Sequence, residues 1–339
     1  ALGVGMAGGS FAVGVAYVSK FFPASRQGTA LGIFGAGNVG AAVTKFAAPF
    51  VMLALGWESV AQIWAGALLG IAVLSFLLTR DEPLLIERRR TGEKPVAAWL
   101  QLAPLKDVRV WRFALYYFFV FGGFVALALW LPHYLTGAYG VGIGVAGMLS
   151  AAYSIPGSLF RVFGGWLSDR IGARKVMYLT FIISVICAFI LAYPATTYVV
   201  DGIDGPIRFR LAMSLPVFTT VVFVLGFAMS LGKAAVFKHI PVYYPDHVGS
   251  VGGLVGMIGG LGGFILPIAF GALNDLTGVW TSCFMLLFLL VFAALIWMHL
   301  AVRRMERRRS PMLETLPEFP ELAGVGPDKA AAASNTRSN

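Results

Sequence analysis

Charged side chains inside apolar runs are the residues of this chain that could do chemistry, and there are few of them. Arg161 is the one arginine within such a run, near the end of the stretch Ala146 to Trp166. A guanidinium in hydrocarbon is disfavoured by about 3 kcal/mol on insertion scales, so it is normally kept where it faces a polar cavity. Upstream, Ser150, Ala151, Ala152, Ser154, Gly157 and Ser158 are small, which lets neighbouring helices come close and leaves room for a cavity. The other reading is that Arg161 stands about one and a half turns from the end of its run and snorkels to the interface. Lys45 and Lys233, each inside a run, pose a similar question. A lysine there is costly unless it meets a cavity or an acid, so either residue could tune anion attraction or respond to protonation. Lys238 and His239 are expected at the interface. His239 and His247 have no metal-site context, and the sequence holds no nucleophile–base arrangement or phosphate loop. Neither enzymatic activity nor a cofactor is expected.

The elements that must position these residues follow from composition. The chain has 339 residues, 58% of them hydrophobic and 12% charged, with a mean hydropathy of +0.80, which is too apolar for an ordinary soluble domain. Runs long enough to cross a bilayer lie at approximately 1–20, 27–54, 58–79, 111–136, 143–167, 176–196, 213–237, 248–273 and 279–301. All are expected to be helices, because backbone amides in lipid must be satisfied within the segment. The expectation is therefore an all-α polytopic membrane protein with the lipid bilayer as its surroundings. The net charge of +10 does not point to nucleic acid, because the basic residues cluster between apolar spans and in the tail, the pattern of loops facing anionic lipid. Cys187 and Cys283 each fall inside an apolar run and support neither a disulfide framework nor a thiolate metal site.

Lys20/Arg26, the stretch Arg80–Arg112, Arg170/Arg174/Lys175, Lys238 and Arg303–Arg309 lie in alternate connections or at the end. By the positive-inside rule this puts the C-terminus in the cytoplasm and residue 1 outside. The chain begins Ala-Leu-Gly, already apolar and without an initiator Met, and is expected to be N-terminally truncated. Residues 80–110 form the one long polar interruption, expected to be a cytoplasmic linker. Residues 1–79 would then be the last three helices of an N-terminal bundle, 111–302 a six-helix C-terminal bundle, and 303–339 a cytoplasmic disordered tail.

Phe22-Pro23, followed by Gly28-Thr-Ala-Leu-Gly32-Ile-Phe-Gly35-Ala-Gly37-Asn38-Val-Gly40, has a weak second copy in Tyr244-Pro245 followed by the glycine-rich run Gly249 to Gly263. Internal repetition of this kind is typical of transporters whose substrate site lies between related halves. Directly after the Arg161 run comes Gly164-Gly-Trp-Leu-Ser-Asp169-Arg170-Ile-Gly172-Ala-Arg174-Lys175. This segment resembles the loop signature of the major facilitator superfamily. The resemblance implies a major facilitator fold, with nine of its twelve helices in this chain, and a conformational latch made by Gly164, Asp169, Arg170, Gly172 and Arg174.

Gly8-Gly-Ser-Phe11-Ala, Phe21-Phe-Pro23, Arg26-Gln-Gly28, Gly35-Ala-Gly-Asn38-Val-Gly40 and the copy at Gly256–Gly263 resemble the signatures of the nitrate/nitrite porter family within that superfamily, over nearly the whole chain. The resemblance implies a substrate, nitrate or nitrite, moved by alternating access as proton symport or nitrate/nitrite exchange. It also implies site residues. Arg161 would be one of two arginines that clamp the anion, the other lying in the family's second helix. Asn38 adds a donor amide, Tyr117 and Phe121 would line the site from one helix, and Phe11 is the analogous ring on the first. Gly37 and Gly260 are expected to admit no bulky side chain, because a neighbouring backbone or the ion fills that space. The partners implied are nitrate or nitrite and protons, and the protein is expected to be monomeric. A facilitator of another small anion or organic acid, and a non-transporting membrane sensor, are the alternatives. Cysteines introduced at Arg90 and Asp201 are expected to react with an impermeant thiol reagent from opposite sides of the membrane; labelling of both from outside overturns the topology.

Overall fold

The computed structural model describes residues 2–81, 90–92 and 100–307. Within the expected linker, residues 82–89 and 93–99, and in the tail those from 308, lie outside the described residues. The chain divides into two compact units, residues 1–36 with 102–339, and residues 37–101.

The first unit opens with α1 (Leu2–Phe21) and α2 (Gln27–Ala36). The second unit contributes α3 (Val39–Leu55) and α4 (Trp57–Leu78), which pack on each other, Trp64 Nε1 donating to Thr44 Oγ1 at 2.9 Å. The first unit resumes with α5 (Val108–Tyr117), a π-helical turn (Phe118–Gly123) and α6 (Phe124–Tyr139). It continues through α7 (Ile143–Ile171), α8 (Ala173–Ala192), α9 (Leu215–Tyr243), α10 (Val248–Thr277) and α11 (Ser282–Arg307). Among the described residues seven helices are long and apolar enough to cross a membrane, as a multi-pass protein requires.

Three sequence expectations change here. The run expected as one helix over 27–54 is broken at Gly37-Asn38. Gly35, Gly37, Asn38 and Gly40 concentrate low helix propensity at that point, and α2, with 10 residues, spans only about 15 Å. The run at 111–136 is not uniformly α-helical either, since the π turn interrupts it.

The all-α expectation is corrected by β1 (Thr196–Gly202) and β2 (Gly205–Leu211), an antiparallel pair in register Thr196↔Leu211 to Gly202↔Gly205. Thr196, Thr197, Tyr198, Val199 and Val200 on one side and Ile207 and Phe209 on the other are β-formers. Ile203-Asp204 make the two-residue turn between the strands, and Gly205 follows at φ +129°, a conformation open to glycine. Read only as a connection between spans, the segment concealed that pattern.

Helix ends follow local chemistry. The Asp107 carboxylate caps α5 by accepting from the Arg109 amide at 2.9 Å, and it accepts from the Tyr244 hydroxyl at 2.5 Å. Partial burial alone would raise the Asp107 carboxyl. The Tyr244 and Arg109 hydrogen bonds and the charges of Arg109 and Arg112 outweigh that and hold it below its ordinary value. Gly140 and Gly278 end α6 and α10 at φ +65° and +66°, the left-handed cap that glycine adopts without strain.

Packing inside the first unit is set by backbones in close approach. α7 packs on α2 and α9, and α10 packs on α1 and the π turn. A Cβ at Gly164 would lie 2.6 Å from the Leu231 Cα of α9, and one at Gly32 2.8 Å from the Arg161 carbonyl oxygen of α7. At Gly122 in the π turn, a Cβ would lie 2.7 Å from the Gly259 carbonyl oxygen and 2.8 Å from the Gly262 Cα.

The expectation for Gly260 is corrected by its surroundings. Gly260 is exposed, and among the described residues a Cβ there would meet nothing within 4 Å. Its neighbours Gly259, Gly262 and Gly263 face the chain instead, because a helix turns by about 100° per residue and shifts the face with every step. Gly122→Val is therefore expected to destabilise the protein by about 1–3 kcal/mol through overpacking. Gly260→Ala should change stability by less than about 0.5 kcal/mol. Thermal unfolding in detergent compares the two, and equal losses would remove the distinction.

Candidate functional site

Arg161 does not snorkel: it is 1% exposed. Nη2 donates to the Tyr117 hydroxyl at 3.4 Å, while Nε and Nη1 are buried without a hydrogen-bond partner. Its guanidinium carbon stands 5.2 Å from the ring centroid of Phe11 on α1 and 5.6 Å from that of Phe237 on α9. The fourth side is backbone, for a Cβ at Gly35 of α2 would collide with the guanidinium. Four elements besides its own helix thus converge on one planar cation: α1, α2, α5 and α9.

The rings form a connected frame. Phe237 stands edge-on to Tyr117 with centroids 4.7 Å apart, and to Phe11 at 5.3 Å. Tyr117 stacks on Phe121 at 5.0 Å with only 6° between planes, and its ring occupies the space a Cβ at Gly259 would need. Phe34 of α2 adds a ring 5.3 Å from Phe11. Aromatic faces stabilise a cation by their quadrupole, by about 0.5–2 kcal/mol each according to desolvation. They leave the two unpartnered N–H groups unsatisfied.

Lys233 lies nearby and is 3% exposed. Its Nζ donates to the Gly157 carbonyl oxygen at 3.2 Å and sits 3.1 Å from the centroid of the Phe124 ring. Gly157 is one turn before Arg161 on α7.

A second cluster forms at the α7–α8 corner. Asp169 accepts from the Gly28 amide at 2.9 Å, from the Thr29 amide at 2.7 Å and from the Thr29 hydroxyl at 2.6 Å, so a carboxylate of α7 caps the first turn of α2. An anion is favoured there by the unsatisfied amides and the helix dipole. On its other side Lys238 of α9 makes an ion pair with Asp169 at 2.8 Å and donates to the Ser168 carbonyl oxygen at 2.8 Å. The interfacial expectation for Lys238 and His239 is thereby corrected. Lys238 is 2% exposed and His239 is buried with Nδ1 2.7 Å from the Ala235 carbonyl oxygen, because α9 is enclosed by α7, α8 and α2. Lys238 and Phe237 are the residues that sequence reasoning missed. Their signal was their place in an apolar run that also carries Lys233.

The remaining expected residues are placed as follows. Of the loop signature, Asp169 bonds to α2 and α9, the Arg170 guanidinium lies 4.4 Å from the centroid of its neighbour Trp166, Gly172 forms the corner and Arg174 lies in the first turn of α8. Gly37, Asn38 and Lys45 belong to the second unit. Asn38 precedes α3 without a side-chain capping bond, Gly37 accepts from the Gly40 amide at 3.0 Å, and the Lys45 side chain lies outside the described residues.

What this arrangement can do is bind a small anion. The unpartnered Nε and Nη1 of a planar cation, enclosed by rings and backbone, carry N–H donors that acceptor oxygens of a compact ion can meet.

Comparison with known proteins bears on the same question. The family model described as Major Facilitator Superfamily matches residues 1–203 and 134–331. A probable nitrate/nitrite antiporter, NarK1, of Thermus thermophilus is 42% identical over 339 residues, covering 96% of this chain and 74% of that protein. A nitrite extrusion protein of Bacillus subtilis (strain 168) is 30% identical over 300 residues, covering 87% of this chain and 69% of that one. Among solved structures, a Major Facilitator Superfamily transporter, FucP, in the outward conformation matches with a TM-score of 0.62 at 16% identity, covering 85% of this chain and 72% of that chain. That likeness supports the fold.

Breaking a buried ion pair from one side costs about 3–5 kcal/mol, so Asp169→Asn is expected to loosen α2 from α7. A cysteine placed at the buried Ala30 should then react with a maleimide at least about tenfold faster than in the Asp169 background, since 1.4 kcal/mol is tenfold in an opening equilibrium. Unchanged reactivity would mean that Asp169 does not hold α2.

Proposed function

The chain belongs to the nitrate/nitrite porter family of the Major Facilitator Superfamily, and from that premise we propose that it carries nitrate or nitrite across the membrane by alternating access. It is a transporter of that superfamily and not an enzyme. The observation that supports the substrate is the Arg161 guanidinium, buried with Nε and Nη1 unpartnered.

A planar ion with three oxygens can accept two parallel bonds from a guanidinium, which lysine cannot offer. Tyr117 already accepts from Nη2, so its own hydroxyl proton is available to a third oxygen. Phe11, Phe121 and Phe237 exclude water around that contact, which strengthens each charge-assisted bond. The absence of a side chain at Gly35 brings α2 against the cation. Asn38 is proposed as a further donor on the family resemblance alone.

Movement follows from the second cluster. The Asp169 contacts to Gly28 and Thr29 join α7 to α2 at one end, and in the proposed cycle they break when that end opens. By the positive-inside rule the basic loops support a reading in which the stretch from Arg80 and the C-terminus lie on the cytoplasmic side of the cell membrane.

Transport of another small anion is the second reading, supported by the lack of any contact in the site that is peculiar to nitrate. Competition by nitrate, nitrite and small carboxylates for uptake separates the two. Arg161→Lys keeps the charge and loses the fork. It is expected to reach the membrane normally and to bind nitrate at least about tenfold more weakly, a loss of the order of 2 kcal/mol for a charge-assisted bond. Binding to purified protein in detergent measures this without a driving gradient, and wild-type affinity in the variant would overturn the assignment of Arg161.

A further inference from the structure

Lys233 is not needed to hold an anion at Arg161, and nothing in the proposed cycle uses it. Its surroundings are unusual for an ammonium group. The amine is enclosed, with one carbonyl acceptor, Gly157 O at 3.2 Å, and the face of Phe124. The Ser230 hydroxyl competes for the same carbonyl, donating to both Gly157 O and Gly226 O. An ammonium has three donors, and this site offers one shared acceptor and a ring.

Among the described residues no carboxylate forms an ion pair with it. From α7 it faces Arg161, a second cation whose field reaches it. Tyr153 of α7 stacks on Phe124 of α6, centroids 4.8 Å apart, and donates to the Phe124 carbonyl oxygen at 3.3 Å. From the π turn and α8, Val120 and Thr180 pack at the adjacent Gly232, and α5 contributes Tyr117 through Arg161. On α9 itself the next cation, Lys238, is paired with Asp169. α2 carries no titratable side chain, and the one acid on α10, Asp275, forms no ion pair with Lys233 among the described residues. A lone ammonium beside a guanidinium in a desolvated space is costly, whereas the free amine is not.

We propose that Lys233 is the proton carrier of this transporter, taking up one proton when an anion occupies Arg161 and releasing it when the anion leaves. This rests on the reading of Arg161 as the anion site. The step is an acid–base equilibrium in which the amine lone pair accepts a proton from water, giving an ammonium whose charge balances the incoming anion. Gly157 lies one turn, about 5–6 Å along the axis, before Arg161, so an anion at the guanidinium stands within strong Coulombic reach of Nζ. Occupancy and protonation then favour each other by the same free energy, as linkage demands. Proton and anion travel together, so the class of transport is symport. The ring of Phe124 shelters the charge while the anion is bound.

The test measures protons taken up per nitrate bound by purified full-length protein, by calorimetry in buffers of different ionisation enthalpy. Wild type is expected to take up about one proton per anion within the coupled pH range, and its nitrate affinity to fall by up to about tenfold per unit of rising pH there. Lys233→Met should bind nitrate with proton uptake reduced at least roughly tenfold and with an affinity that no longer depends on pH. If the methionine variant does not bind, Lys233→Arg decides, since a permanent cation supports binding but takes up no proton. Nitrate binding by wild type without proton uptake, or uptake that persists in whichever variant binds, overturns the proposal for Lys233 while leaving Arg161 as the anion site. No nitrate binding by wild type overturns the reading of Arg161, and this proposal falls with it.

Discussion

The guanidinium of Arg161 is enclosed by rings and backbone and meets no carboxylate among the described residues, and the rest of the site is arranged around that fact. Apolar surroundings do not tolerate a bare cation unless something compensates it. Here compensation is partial: two aromatic faces, one phenol oxygen and no acid. An acid placed beside Arg161 would satisfy it and compete with a substrate anion for the same donors. Partial satisfaction keeps the cation available, because it is stabilised enough to stay buried and short of the acceptors that would close the site.

The acid that does enter the packed region is spent elsewhere. Asp169 takes three donors from the start of α2 and a fourth from Lys238, so its charge is neutralised at the end of α7, two turns beyond Arg161. This separation gives the two clusters different tasks. Asp169 joins the end of α7 to the first turn of α2. Arg161 lies deeper, enclosed with Nε and Nη1 unpartnered. Lys238 pairs with Asp169 from the other side, so that buried charge is neutralised.

Glycines carry the geometry that makes both clusters possible. α7 meets α2 and α9 at backbone distance through Gly28, Gly32, Gly164 and Gly165, and the π turn meets α10 through Gly122 and Gly262. Close approach of this kind is how helices associate where no hydrophobic force separates protein from lipid. The π turn lies directly after Tyr117 and contains Phe121, so the irregular segment sits at the site itself, where such turns are often found. Contact between Gly122 and α10 accounts for its position, since a regular side chain there would meet backbone that cannot yield.

Hydropathy was enough to read a multi-pass helical protein, and the resemblance of short motifs pointed to the superfamily and the porter family, because each is written in consecutive residues. Arg161 could be singled out from the sequence for the same reason: one arginine in one apolar run is visible without a fold. Its alternatives could not be separated, since snorkelling and burial differ only in what surrounds the side chain. Tertiary structure decided that Arg161 is enclosed by Phe11, Phe237, Tyr117 and Gly35, that Lys238 pairs with Asp169 from a distant part of the chain, and that Gly259 rather than Gly260 faces Tyr117. It also revealed the hairpin after α8, whose β-forming residues were legible but stood in a stretch read only as a connection between spans. Composition reports how apolar a segment is, and periodicity reports which residues share a face; which partner covers that face depends on contacts between residues far apart in sequence, and only the packed chain specifies them.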